Sequence, residues 1–378
     1  MTKRGHGEGS IYQRQSDGLW IGSLDLGIID GKRARKTISG KTQKDAREKL
    51  RALQRDHERG LPVQVKRQTL AQFAQHWLAE KEGSVRPMTF ESYSTAMRVH
   101  ILPALGRHEL TALQPQHVQA LLKAKRTAGL SPRTVENILV VLGIALKQAL
   151  RWELVARNVA SLVDRPRVER HEIKPFTPEE ARDFLTAIRG QRLEALYTTA
   201  LALGLRKGEA LGLRWEDVDF EGRVINVRRQ LQRIGGQQRL VELKTDQSRR
   251  VIPLPEVVVS ALRAHRIRQL EERLQAGERW RDQGLVFTST TGTPLEPSNI
   301  LKQFKKVLAQ AGLRPMRFHD LRHCCASLLL AQNVHPKQVQ AILGHSQIST
   351  TLDIYSHLTP GSERQVADLM DGMLRADA

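Results

Sequence analysis

Cysteine is nearly absent from this chain. Its 378 residues hold two, Cys324 and Cys325, adjacent to one another, which argues against a structural disulfide and rules out a zinc ribbon. No stretch approaches the ~20 consecutive apolar residues of a spanning helix. The opening Met-Thr-Lys-Arg-Gly-His-Gly lacks the apolar core of a secretory signal. Together these absences predict a cytoplasmic protein with no membrane partner. Tyrosine is also scarce, confined to Tyr12, Tyr93, Tyr197 and Tyr355. Negative charge is in deficit, with 40 Asp and Glu against 60 Lys and Arg, a formal net of +20.

Such a balance points to nucleic acid or an anionic surface. The excess is +6 over residues 1–65, +8 over 66–170 and +6 over the remainder. That spread fits contact with DNA along the whole chain better than a basic tail does. A merely soluble basic protein gives the same totals, so charge alone does not decide.

The length suits two or three domains. In residues 1–62, Ser10–Arg14, Trp20–Leu26 and Arg33–Ile38 alternate like strands and are separated by the turn dipeptides Asp17-Gly18 and Asp30-Gly31. Thr42 then reads as the N-cap of a charged helix reaching about His57. Arg14, Arg33, Arg35 and Lys36 make this small sheet basic, and a basic sheet can enter a major groove. Solvated basic residues on an ordinary β-module are the alternative.

Residues 66–165 show few strand signals and predict an all-helical domain. Leu70, Phe73, Ala74, Trp77 and Leu78 share a helical face, a second helix runs from near Thr89 to Pro103, and a third spans Pro115–Thr127. Ser131-Pro132 opens a long helix to about Trp152. Phe73, Trp77, Phe90 and Tyr93 read as core rather than as base-stacking groups. Residues 164–178, with Pro166, Pro175 and Pro178, read as a linker into a third domain, 175–378. There a helix capped at Thr177 and a second helix lead toward Arg206, residues 222–254 suit a hairpin or a three-stranded sheet, and residues from Ser298 onward are helical.

The third domain carries the chemistry: Arg206, Lys244, His319, Arg322, His345 and Tyr355. A phenol is a weak nucleophile at neutral pH, so it needs partners that carry charge developing on the group it attacks. Two guanidiniums match the non-bridging oxygens of a phosphate diester, stay protonated, and stabilise a pentacoordinate transition state. The imidazoles can donate hydrogen bonds or move a proton. An alkoxide leaves poorly unless protonated, and a lysine in a cationic pocket has the lowered pKa that suits such an acid. His319 and His323 also stand four apart, as two metal ligands on a helix would. Asp320 occupies the place of the metalloprotease glutamate and no third ligand is evident, so no metal is expected.

The ordered segments Gly204-Leu205-Arg206-Lys207-Gly208-Glu209, Lys244-Thr245, His319-Asp320-Leu321-Arg322-His323, Leu343-Gly344-His345 and Tyr355, ten residues past that histidine, resemble the tyrosine recombinase family, or phage integrases. The resemblance covers residues 175–360. It implies a multidomain α+β chain: an arm-type DNA-binding module (1–62), a helical, SAM-like core-binding domain (66–165), and a mainly helical catalytic domain with a small antiparallel sheet (175–378). Tyr355 is then the nucleophile that leaves a 3′-phosphotyrosyl bond. Arg206, Arg322, His319 and His345 surround the phosphate, Lys244 is the acid, and Glu209 orients the arginine and histidine groups, with a plain salt bridge to Lys207 or Arg206 as its other reading. No cofactor is implied.

The implied partners are double-stranded DNA at core and arm sites, other copies of the chain as a tetramer on DNA, and a host bending factor or directionality factor. An apolar stripe through Val366, Leu369, Met370, Met373 and Leu374 suits either a self-packing last helix or a segment docking on a neighbouring protomer. A chromosome-dimer resolvase, a type IB topoisomerase and a DNA-binding regulator with a decayed site remain as alternatives.

Overall fold

Three antiparallel strands, β1 (Ser10–Gln13), β2 (Trp20–Ile29) and β3 (Lys32–Gly40), are followed by helix α1 (Gln43–Glu58). This is the computed structural model of the chain, and it describes residues 9–29, 32–58, 68–169, 173–243, 248–349 and 351–352. Leu24, Ala46 and Leu50 are buried between the sheet and α1. Gly22, opposite Ile38, faces Leu50 of the helix. Leu24 pairs with Lys36 and Asp25 with Arg35, so strand alternation puts Lys36 on the helix side and Arg35 on the open side. The turn dipeptide Asp30-Gly31 lies outside the described residues.

Helices follow within the same unit, Met1–Arg170. Thr69 and Gln72 cap the start of α2 (Leu70–Lys81) reciprocally, satisfying donors that a helix start leaves open. Next come α3 (Pro87–Thr95), a π-helical turn (Ala96–Ile101), α4 (Leu102–Leu105), α5 (Pro115–Thr127) and α6 (Pro132–Arg151). Spacing predicts a stop at Pro103, but the chain stays helical to Leu105. In the widened turn the Leu102 N–H reaches back to the Met97 carbonyl. Proline in an ordinary helix loses one bond and crowds the carbonyl four residues back; here it enters just after a turn that already departs from that ladder. Phe73 and Trp77 are fully buried, Tyr93 stacks on Trp77 at 5.4 Å, and Phe90 is half-buried.

The second unit, His171–Ala378, begins at a reciprocal cap between Thr177 and Glu180 on α7 (Pro178–Ala187). It continues through α8 (Glu194–Leu203), α9 (Lys207–Leu211), β4 (Val218–Asp219), β5 (Val224–Val227), β6 (Arg229–Ile234), β7 (Gln237–Glu242), β8 (Arg250–Pro253), α10 (Glu256–Ala276), α11 (Pro297–Gln310), α12 (Asp320–Ala331) and α13 (Pro336–Leu343). Residues 222–254 form a hairpin, β6 and β7 turning at Gly235-Gly236, and supply β5 and β8 to a three-stranded antiparallel sheet whose edge strand β4 precedes that range.

Phe184, Tyr197, Phe304 and Phe318 interlock at the centre of this unit, with ring centroids 5.7–6.2 Å apart. Helix α8 is buried around most of its circumference and packs on α10 and α12; α13 packs on α12 and β8. The chain ends of α8, α13 and β8 are thereby brought to one place. Among the described residues no helix is long and apolar enough to cross a membrane. Lys244, Tyr355 and the apolar stripe from Val366 to Leu374 lie outside the described residues.

Candidate active site

Gly204 ends α8 with φ +60°, a left-handed conformation that disfavours any side chain. A Cβ there would stand 2.3 Å from Leu343 Cδ2 and 3.2 Å from Cys325 Sγ. The reversal delivers Arg206 to the N-terminus of α9. Its backbone N–H donates to Glu209 Oε2 at 3.0 Å, Nη1 to Glu209 Oε1 at 2.6 Å, and Nη2 to the Gly344 carbonyl at 3.0 Å.

Gly344 is a second left-handed helix end, φ +67°, closing α13 and turning the chain into His345. Gln340 Nε2 donates to the His345 carbonyl, and His345 Nδ1 shares a 2.9 Å hydrogen bond with the buried Thr351 hydroxyl.

Arg322 points inward from α12, 3% exposed. Nη1 donates to the Gly204 carbonyl at 2.7 Å, and Nη2 is buried without a hydrogen-bond partner among the described residues. His319 stands at the head of the same helix and keeps solvent access, its ring edge-on to that of His323 at 5.5 Å. Asp320 ties down the helix start by accepting from the Arg317 backbone and guanidinium.

Glu209 is 1% exposed and lies between two guanidiniums. The second belongs to Arg250, which spacing alone does not single out. Nη2 of Arg250 donates to Glu209 Oε2 at 2.9 Å and Nε to the Ile342 carbonyl at 2.6 Å. Glu209 thus makes the salt bridge to Arg206 that its sequence position allows, and a further one to Arg250 rather than Lys207. A signal for Arg250 exists in the strand pattern: it shares the inward face of β8 with buried Ile252, while Val251 between them is exposed. A basic residue on the inward face of a strand needs a buried partner.

Two guanidiniums therefore meet one carboxylate, with the Arg322 guanidinium close enough to feel its charge, and the surplus positive charge governs the ionisable groups nearby. Burial acts against the Glu209 carboxylate, yet the charge and hydrogen bond of Arg250, followed by those of Arg206, outweigh it and hold the pKa below the usual value. Burial and then the charge of Arg206 bring the Arg322 guanidinium down to about 9. Burial, Arg322 and Arg206 push the His345 imidazole down to about 3. His319 and His323 are lowered too, first by burial; the charges of His323 and Arg322 lower His319 further, while Arg317 and Arg322 lower His323 against the opposing effect of Asp320. The imidazoles are neutral hydrogen-bonding groups at neutral pH, and the pocket is short of an anion.

The other tyrosines are placed elsewhere. Tyr197 is fully buried in the aromatic centre with its hydroxyl toward the Ile300 carbonyl, Tyr93 lies on Trp77, and Tyr12 is on β1. Of the basic residues in the first module, Arg14 sits just past β1 and forks onto Asp17, with Nε to Oδ1 at 2.9 Å. Arg35 is exposed on the open face, Lys36 lies on the opposite face, and the side chain of Arg33 is outside the described residues. Among the described residues no group of three or more His, Cys, Asp or Glu side chains is arranged to hold a metal.

The profile of the phage integrase family matches residues 174–361, and that of the phage integrase N-terminal SAM-like domain matches residues 69–125. A tyrosine recombinase XerC-like protein of Caldanaerobacter subterraneus subsp. tengcongensis is 31% identical over 365 residues, covering 91% of this chain and 93% of the relative. An integrase of Streptomyces ambofaciens is 31% identical over 387 residues, covering 99% and 98%. Among solved structures, the Tn1549 transposon integrase in complex with a circular intermediate DNA superposes with a TM-score of 0.68 at 25% identity, over 80% of this chain and 99% of that one.

Proposed function

Because this chain belongs to the phage integrase family of tyrosine recombinases, we propose that its cluster of guanidiniums binds the scissile phosphate of a DNA strand and that Tyr355 attacks it. The observation that carries this reading is Arg322: a buried cation with one nitrogen unpartnered among the described residues, beside two more arginines that share a single carboxylate. A buried polar group so placed costs stability unless a ligand completes it, and a phosphate oxygen is the acceptor that fits.

In this reading Arg206 and Arg322 each face one non-bridging oxygen and stabilise the charge of the pentacoordinate transition state. His345 is neutral. When Thr351 donates to Nδ1, the Nε2–H is left to donate to the phosphate rather than to carry a proton through the reaction. His319, at the head of α12, is the second imidazole of the set. Lys244, between β7 and β8 in the sequence, protonates the leaving 5′ oxygen.

Tyr355 loses its phenolic proton to solvent and its oxygen bonds to phosphorus as the P–O bond to the 5′ oxygen breaks; the proton from Lys244 makes that oxygen a free 5′-hydroxyl beside a 3′-phosphotyrosyl link. A 5′-hydroxyl of a partner duplex then reverses the step. Bond energy is kept in the covalent link, so no nucleotide cofactor is consumed.

The same reading makes residues 1–62 an arm-site module, 66–165 a core-site domain and 175–378 the catalytic domain, with four copies on two duplexes in the cytoplasm. Host bending or directionality factors belong to it as partners. In the arm module Arg35 on the open face of the sheet is the described basic side chain best presented to DNA, whereas Arg14 would first have to leave Asp17.

Covalent capture tests the whole. The protein is incubated with a nicked library of genomic DNA fragments, denatured, and the DNA held on protein is sequenced. Adducts ending at one short site and absent with Tyr355→Phe are the expected result. Adducts without a preferred site indicate topoisomerase action, and retained DNA binding with no adduct indicates a regulator.

A further inference from the structure

Four hydrogen bonds close a ring around the site. Arg206 donates Nη1 to Glu209 Oε1 and Nη2 to the Gly344 carbonyl; Arg250 donates Nη2 to Glu209 Oε2 and Nε to the Ile342 carbonyl, two residues before Gly344. The ring joins the start of α9, strand β8 and the last turn of α13, three elements far apart in the chain. Arg206 keeps 36% of its side chain exposed, whereas Arg250 keeps 6%. Arg206 can therefore present a face to a ligand while Arg250 is committed to the protein on all sides.

We propose that Arg250 is a positioning residue for strand cleavage, locking the Arg206–Glu209 pair to the turn that carries Gly344 and His345 so that Arg206 and His345 meet one phosphate together. This rests on the assignment of Arg206 and His345 to the phosphate site. The fork is what the role requires. A planar guanidinium reaches a carboxylate and a carbonyl on different elements at once, and an ammonium on a flexible stem does so less well.

Charge supports the geometry. The charged groups that act on Glu209 are Arg206 at the head of its own helix, Arg250 from β8 and Arg322 from α12, and His345 beyond α13 feels the same three arginines. Arg250 is the larger of the two influences that keep the buried carboxylate ionised. Without it, burial raises the Glu209 carboxyl, and as pH falls a proton takes the place of a guanidinium and loosens Arg206.

The test uses the full chain and the DNA fragment recovered by covalent capture, following single-turnover adduct formation at saturating DNA from about pH 9 to about pH 6. Arg250→Met is expected to bind DNA within about twofold of wild type and to form adducts about tenfold more slowly at the alkaline end. Its rate then falls further on acidification, a limb the wild type lacks. Adding Glu209→Gln removes that limb, because the carboxyl whose protonation produces it is gone. Arg250→Lys regains part of the rate and the wild-type pH profile.

A pH profile for Arg250→Met that superimposes on wild type overturns the proposal. So does a loss of rate matched at every pH by the same loss of DNA affinity. If Arg250→Met does not fold, Arg250→Lys decides alone: slower adduct formation at unchanged DNA affinity supports the role, and a wild-type rate removes it. Absence of adducts with wild-type protein is a separate result, and it strikes the site assignment rather than Arg250.

Discussion

The Arg322 guanidinium donates to the carbonyl of Gly204 at 2.7 Å, across 118 residues of sequence. That carbonyl is available because Gly204 is left-handed, and the same reversal sends Arg206 into the site two residues later. One backbone turn therefore places one arginine directly and holds the other by hydrogen bond, while Gly344 does the reciprocal service, accepting from Arg206 and presenting His345.

Gly204→Ala tests this dependence. A left-handed alanine and a Cβ 2.3 Å from Leu343 Cδ2 together are expected to cost about 2–4 kcal/mol. Urea unfolding should show a lower midpoint with an unchanged slope. Adduct formation by the remaining folded protein should fall as well, because the carbonyl that fixes Arg322 shifts. A variant with wild-type stability would mean that Leu343 and Cys325 yield without cost.

Lys244 is examined by changing the leaving group. Lys244→Ala is expected to slow cleavage of ordinary DNA by about 10²–10⁴-fold, the usual worth of a positioned general acid. A substrate with sulfur at the bridging 5′ position leaves as a thiolate and needs no proton, so cleavage of it should recover to near the wild-type rate. Equal losses on both substrates would deny Lys244 the acid role and point to a binding contact.

Stability should fall on acidification below neutrality. The folded pKa of His345 is about 3, and that of buried His265 is also lowered, burial being the first cause for both. In the unfolded chain each imidazole returns toward 6.5. Between those limits the unfolded state binds more protons, so stability rises with pH through the window and is lost as pH drops. Each such group contributes up to about 1.4 kcal/mol per pH unit below the unfolded value. The melting temperature of the DNA-free protein should therefore decline from about pH 7 to about pH 5, and the decline should be smaller in Thr351→Val if His345 then reaches solvent and protonates without cost. A flat profile would mean that these imidazoles are solvated in the folded protein.

Much of this protein is legible in its sequence because the relevant physics is local. Ser131 and Thr177 cap the helices that follow them, and Gly235-Gly236 turns a hairpin. Phe73 and Trp77 fall on a buried helical face, and the order of the arginine, histidine and tyrosine motifs identifies the family. Periodicity of 3.6 or 2 and the hydrogen-bonding needs of a chain end act over a few residues, so spacing records them.

What tertiary structure decided is everything that depends on two distant segments meeting. Arg206 reaches Gly344 across 138 residues, and Arg250 joins Glu209 to Ile342 although no motif marks it. Pro103 stays inside a helix because a π turn precedes it, and Arg14 is engaged by Asp17 while Arg35 and Lys36 part to opposite faces. A guanidinium has the same appearance in sequence whether it is solvated, paired or aimed at a phosphate. Only the packing of α8, α12, α13 and β8 determines which carbonyls and carboxylates come within its reach, and so which of its donors are left for DNA.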